Sequence, residues 1–85
     1  MALKFQKNPK RKDYRLAVVV SKKVQKSAVA RNRIRRRIFE IVRKDIKVLG
    51  PYDMIISVYD ESTATCPSEK LQAQVASLVQ RAGIS

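Results

Sequence analysis

The sequence predicts a two-layer α/β (α+β) sandwich in the order strand, strand, helix, strand, helix. Three observations carry this expectation. The stretches from Tyr14 to Val20 and from Tyr52 to Tyr59 are rich in β-branched residues and follow the two-residue alternation of strands. Apolar residues recur in steps of three and four from Ile34 to Leu49, and again from Leu71 to Val79, which is the stripe of an amphipathic helix. Asn8-Pro9, Gly50-Pro51, Pro67 and Gly83 stand at the joints between these stretches, where turns and helix ends belong.

Taken in order, Leu3 to Gln6 is a short apolar-polar segment compatible with an edge strand, and Asn8 to Asp13 has the composition of a turn. In the next stretch Tyr14, Leu16, Val18 and Val20 share one face, and Arg15, Ala17 and Val19 the other. Both faces are largely apolar, so a central strand covered in part on both sides is expected, paired with the first strand as a hairpin across the basic turn. Lys22, Lys23 and Lys26 occupy the loop that follows. Ser27 is a good N-cap, and the helix is expected to run to about Leu49, ended by Gly50-Pro51. Its stripe is Ile34, Ile38, Ile41, Val42, Ile46 and Leu49.

At about 100° per residue, Asn32, Arg33, Arg36, Arg43, Lys44 and Lys47 lie opposite Ile38, with Arg31 and Arg35 flanking the stripe. Asp45 falls inside the apolar arc, at odds with a buried stripe. After the strand that starts at Tyr52 comes a polar loop from Asp60 to Thr65. Pro67 suits the first turn of a last helix that buries Leu71, Val75, Leu78 and Val79 and stops at Gly83.

With 85 residues the chain has room for one small domain, residues 1–85, and no linker divides it. A formal net charge of +12 points to a polyanionic partner. No apolar run approaches the roughly 18 residues of a membrane span, so no membrane partner is expected. The first residues lack a hydrophobic signal core, and the single Cys66 cannot form an internal disulfide, so a cytoplasmic location is expected.

Histidine is absent, which removes the commonest general base and the Ser–His and Cys–His pairs. The seven carboxylates are dispersed, and two glycines cannot make a glycine-rich phosphate loop. A catalytic site made by the protein alone is therefore not expected, and neither is a metal or cofactor bound by the protein alone. What stands out is Arg31, Asn32, Arg33, Arg35, Arg36 and Arg37 within seven residues. Solvated charged helices usually carry both signs, whereas this face offers only Glu40 among the cations. Guanidinium groups grip phosphates bidentately and stack on bases, and a helix fixes their spacing. The expected nucleic-acid contacts are Lys22, Lys23, Lys26, Arg31, Asn32, Arg33, Arg35, Arg36 and Arg37.

These residues also carry a resemblance. The run from Arg15 to Val24, ending Ser21-Lys22-Lys23-Val24, followed by Val29-Ala30-Arg31-Asn32-Arg33-Ile34-Arg35-Arg36 and Glu40, resembles the protein subunit of bacterial ribonuclease P. The later strand at Tyr52 and the closing amphipathic helix follow the family order. The resemblance implies the layout named after the second domain of a small-subunit ribosomal protein, with a left-handed βαβ crossover. It further implies a ribonucleoprotein whose RNA, using magnesium ions, removes the 5′ leader of precursor tRNA. The protein would bind ribonuclease P RNA and contact the leader in a cleft between the sheet and the basic helix.

The sequence departs from the family pattern in places. The family has a helix before the first strand, whereas Met1 stands almost directly before it here. The expectation is a short member, whether naturally short, truncated or begun upstream. Phe39 stands at a usual arginine, either stacking on a base or covering the core edge. Tyr14, Tyr52 and Tyr59 are either stacking groups or core-edge residues. An uncovered sheet face would favour self-association or shielding by RNA. Two other classes stay open: a ribosomal or other structural RNA-binding protein without a cleavage role, and a DNA-binding module with the arginine helix in the major groove.

Overall fold

The computed structural model describes residues 1–10, 12–46, 48 and 50–84, apart from the side chains of residues 61 and 64. Its elements are β1 (Ala2–Lys7), β2 (Arg15–Val20), α1 (Ala28–Asp45), β3 (Tyr52–Val58), a 3₁₀ turn (Glu61–Ala64) and α2 (Ser68–Ala82). The predicted order of elements is therefore present, and the α+β sandwich is correct.

The pairing differs from expectation. The strand order is β1-β3-β2: β3 lies in the middle, antiparallel to β1 and parallel to β2. The hairpin between the first two strands does not form, because the chain after β1 steps over the end of β3. Asn8 N–H donates to Pro51 O at 2.7 Å, and Asn8 Nδ2 donates to Asp53 Oδ2 at 3.1 Å. The turn is thus anchored on β3, two strand spacings or about 10 Å from one edge to the other. β2 is correspondingly an edge strand, not a central one.

Both helices pack on one face of this sheet. Val18, Val20, Ile56 and Val58 meet Ile34, Ile38, Ile41 and Val42 from α1 and Leu71 and Val75 from α2. A second group, Met54, Val79 and Ile84, closes the far end. Phe5 and Tyr52 meet edge to face at the rim of the same side, with centroids 5.9 Å apart. Core side chains fill the space between α1 and the sheet.

The other face is open. In register across β1, β3 and β2 it reads Ala2–Ser57–Val19, Lys4–Ile55–Ala17 and Gln6–Asp53–Arg15. Val19 is 50% exposed and Ile55 44%, so the apolar second face of β2 is not covered. Two-sided apolar character misled here because alanine and an edge valine tolerate solvent without large cost.

Ser27 caps α1 as expected, its Oγ accepting from Ala30 N–H at 3.2 Å. The helix stops at Asp45, earlier than predicted. Ile46 turns extended (φ −122°, ψ 123°) and remains packed against the core, so the apolar spacing outlasts the helix. Asp45 is exposed as the final helical residue, which removes its conflict with the stripe. Leu49 and Lys47 lie outside the described residues. Gly50 sits in the connection at φ 118°, where a Cβ would meet the Tyr52 ring at 3.2 Å.

Pro67 occupies the cap position of α2, one residue before its first turn, and Glu69 lies in that turn. Gly83 ends α2 in the left-handed conformation (φ 73°), donating to Gln80 O at 3.1 Å. Leu71, Val75 and Val79 are buried, while Leu78 is only half-buried.

The sheet's two faces give a direct comparison. Ile56→Ala, in the central strand and fully buried, is expected to cost about 2–5 kcal/mol of stability. Its neighbour Ile55→Ala, on the open face, is expected to cost no more than about 1 kcal/mol. Urea denaturation midpoints of the two variants measure the difference; equal costs would contradict the one-sided sandwich.

Candidate nucleic-acid interface

The cationic surface is built on the N-terminal half of α1 and the loop before it. Apolar residues on one side of α1 fix its rotation, so Asn32, Arg33 and Arg36 face solvent. From Ala28 through Phe39 the helix contains no acidic residue. Its first turn also exposes backbone N–H groups whose dipoles add positive potential. Lys22, Lys23 and Lys26 are exposed beside it.

Their loop is folded back by Val24 and Gln25 N–H groups donating to Ser21 O, each at 3.1 Å. Val24 tucks against the core, which holds the lysines outside.

The arginines of the run do not all do the same work. Arg31 is half-buried, and its Nη1 donates to Gln25 O and Lys26 O, both at 2.9 Å, bracing the lysine loop. Arg35 Nη1 donates to Asn32 Oδ1 at 2.7 Å, fixing the asparagine amide. Arg37 borders the edge of this face but directs its guanidinium toward the 3₁₀ turn. Its Nη1 donates to Thr63 O at 2.9 Å and its Nη2 to Cys66 O, tying α1 to the 3₁₀ turn and the start of α2. Arg33 and Arg36 project into solvent on the outer face. Sequence alone ranks these arginines together; Arg31 and Arg35 are claimed by oxygens three to six residues away, and only Arg37 by carbonyls of a distant segment.

Toward its C-terminal end the helix face changes character. Glu40 pairs with Lys44 at 3.0 Å and Arg43 at 3.1 Å. The hydrogen bond from Lys44 and the charges of Arg43 and Lys44 hold the Glu40 carboxyl below the usual carboxylate range. Arg43 and Lys44 are therefore partly neutralised, whereas the first half of α1, from Ala28 to Phe39, carries no acid of its own.

Sequence reasoning passed over Val29. It is 72% exposed and sits among Asn32, Arg33, Arg36 and Arg37 along a groove of about 380 Å³. The signal was available, because Val29 lies about 180° from Ile38 on a helical projection. Phe39 is 41% exposed. Tyr14 and Tyr52 pack against the core, whereas Tyr59 is exposed. Cys66 is half-buried, its Sγ 3.6 Å from Thr63 O. Asp60 caps the 3₁₀ turn, and the Ser62 backbone N–H holds its carboxyl below the usual range.

Fold and surface together define a small basic α+β sandwich with a β–α–β crossover and one cationic helix face. The chain belongs to the ribonuclease P family, whose model, described as Ribonuclease P, matches residues 1–83. Two curated relatives are each named ribonuclease P protein component. One, from Roseiflexus castenholzii, is 38% identical over 76 residues, 88% of this chain and 62% of the relative. The other, from a Synechococcus strain, is 35% identical over 69 residues, 81% of this chain and 52% of the relative. The chain thus spans less than two thirds of the length of either.

Solved structures share the fold. The Staphylococcus aureus RNase P protein superposes with a TM-score of 0.79 at 23% identity, covering 96% of this chain and 73% of that one. The Thermotoga maritima RNase P protein gives 0.78 at 23% identity, covering 93% and 74%.

The division of labour among the arginines is testable without RNA. Arg37→Ala is expected to cost about 1–3 kcal/mol, since it strips charged hydrogen bonds from two backbone carbonyls. Amide exchange at Thr65 and Cys66, which follow the 3₁₀ turn and donate to Ser62 O, should accelerate with it. Arg36→Ala is expected to stay within about 0.5 kcal/mol of the parent. Equal effects of the two variants would remove the distinction.

Proposed function

We propose that the chain is the protein subunit of ribonuclease P, a single RNA-binding domain over residues 1–85 that binds the catalytic RNA and assists removal of the 5′ leader from precursor tRNA. The observation that carries this reading is the acid-free cationic surface from Lys22 to Arg36 on a chain of this family. Arg33, Arg36, Lys22, Lys23 and Lys26 neutralise phosphates of the RNA. Arg31 and Arg35 act partly by holding the lysine loop and Asn32 in place. Arg37 contributes through the 3₁₀ turn rather than through phosphate. The setting of this work is the cytoplasm; no helix of the described residues is long and apolar enough to cross a membrane.

The protein's part in the chemistry is electrostatic. Among the described residues no group of three or more His, Cys, Asp or Glu side chains is placed to hold a metal. In this reading the RNA holds the magnesium ions of the reaction. Neutralising clustered phosphates lowers the concentration of magnesium that the RNA needs to fold and to hold its substrate.

The open sheet face supplies a second RNA surface. Ile55, Ala17 and Val19 form an apolar strip bordered by Lys4 and Arg15, which suits the bases and phosphates of a single-stranded leader. Copies of a chain with net charge +12 repel one another, so RNA is favoured over self-association as the cover for this face.

Reconstitution tests the reading. Added to a ribonuclease P RNA at low magnesium, the protein is expected to raise the rate of precursor tRNA 5′ processing several-fold. Binding without any change in rate would instead indicate a structural RNA-binding protein, and preference for duplex DNA would indicate a DNA-binding module. If about six phosphates are neutralised, the logarithm of affinity should fall with that of salt at a slope of about −4 to −5. Glu40→Gln, which releases Arg43 and Lys44, is expected to tighten RNA binding about two- to fivefold at low salt. Unchanged affinity would place the RNA away from that half of the helix.

A further inference from the structure

The exposed position of Val29 has no role in the core and none in phosphate binding. It lies at the second residue of α1, in the middle of the cationic face and 72% exposed. A β-branched residue there lowers helix propensity relative to alanine or lysine, and asparagine at position 32 does so as well. Two poor helix formers side by side on an exposed face conflict with local structure, a pattern that belongs to binding sites. Val29, Asn32, Arg33 and Arg36 stand at i, i+3, i+4 and i+7, one continuous strip about 10 Å long. The groove along this strip, which Arg37 also borders, has a volume of about 380 Å³.

The hydrogen bonding of Asn32 gives the strip a chemical preference. Its Oδ1 accepts from Arg35 Nη1 at 2.7 Å. An outward ligand therefore meets the Nδ2 amide hydrogens, which are donors only. Uracil and guanine present keto oxygens to such a donor, whereas cytosine and adenine place an exocyclic amino donor at the corresponding position. An apolar patch flanked by guanidinium groups is also where the face of an unstacked base, with its neighbouring phosphates, is best accommodated.

We propose that the groove formed by Val29, Asn32, Arg33 and Arg36 holds one unstacked RNA nucleotide with a keto base, uracil or guanine. The base lies against Val29, its oxygen accepts from Asn32 Nδ2, and Arg33 and Arg36 take the flanking phosphates. This rests on the reading of the helix face as an RNA-binding surface, and it makes that surface selective for a base as well as for charge.

The test uses the full chain and three eight-nucleotide single-stranded RNAs: oligouridine, oligocytidine and oligoadenosine. The wild type is expected to bind oligouridine about fivefold more tightly than either of the others, the worth of one neutral hydrogen bond. Asn32→Ala is expected to abolish that preference. Val29→Ser should weaken all three about threefold without changing the salt slope, whereas Arg36→Ala should reduce the slope by about one. Circular dichroism of each variant is expected to match the wild type, which checks that the helices are kept.

Equal binding of the three RNAs by the wild type, or a preference that survives Asn32→Ala, overturns the proposal. A loss of stimulation in the ribonuclease P assay with the uridine preference intact would sink the subunit reading alone. Full stimulation with no base preference would sink this inference alone.

Discussion

Every feature of the charged surface depends on the burial of one stripe of α1. Ile34, Ile38 and Val42 are fully buried against the sheet and α2, and Ile41 nearly so. Each such side chain contributes roughly 1.5–3 kcal/mol on leaving water. That burial fixes the rotation of the helix about its own axis. A helix held this way cannot turn its arginines inward, so mutual repulsion among them acts on a scaffold that does not yield. Charge density that would unravel an isolated peptide becomes a surface of defined shape.

Repulsion within the run is relieved by a second device. Arg31 is drawn to the carbonyls of the preceding loop, Arg35 to Asn32, and Arg37 to the carbonyls around the 3₁₀ turn. The guanidinium groups are spread over three directions, each toward an oxygen. Only Arg33 and Arg36 of the five project fully into solvent. The run thus joins three parts of the molecule while leaving a smaller, better spaced set of cations on the outer face.

What the sequence disclosed was local. The cap at Ser27, the stripe from Ile34 to Val42, the stop at Gly83 and the acid-free first half of α1 all depend on neighbours a few positions away. What it concealed was long-range. Leu16, Val18 and Val20 alternate in the same way whether their strand lies at the centre or at an edge, so the insertion of β3 between β1 and β2 left no trace in the pattern. Ile46 kept its helical spacing after the backbone had become extended, which displaced the predicted end of α1. Arg37 cannot be told from Arg36 by composition, because the carbonyls that claim it lie 26 and 29 residues away. The family motif, being a local string, was legible; the sheet that supports it was not.

The central position of β3 also sets the timetable of folding. Neither β1 nor β2 has a neighbouring strand until Tyr52–Val58 is available, and β1 must then close a loop of some fifty residues to reach it. Long-range pairing of this kind slows the search for the native state. During synthesis at about 5–20 residues per second, the arginine-rich helix therefore leaves the ribosome seconds before the sheet beneath it can be completed. For that interval a strongly cationic, half-formed chain stands beside ribosomal RNA and nascent transcripts. The last helix arrives after β3 and completes the burial of the α1 stripe through Leu71 and Val75.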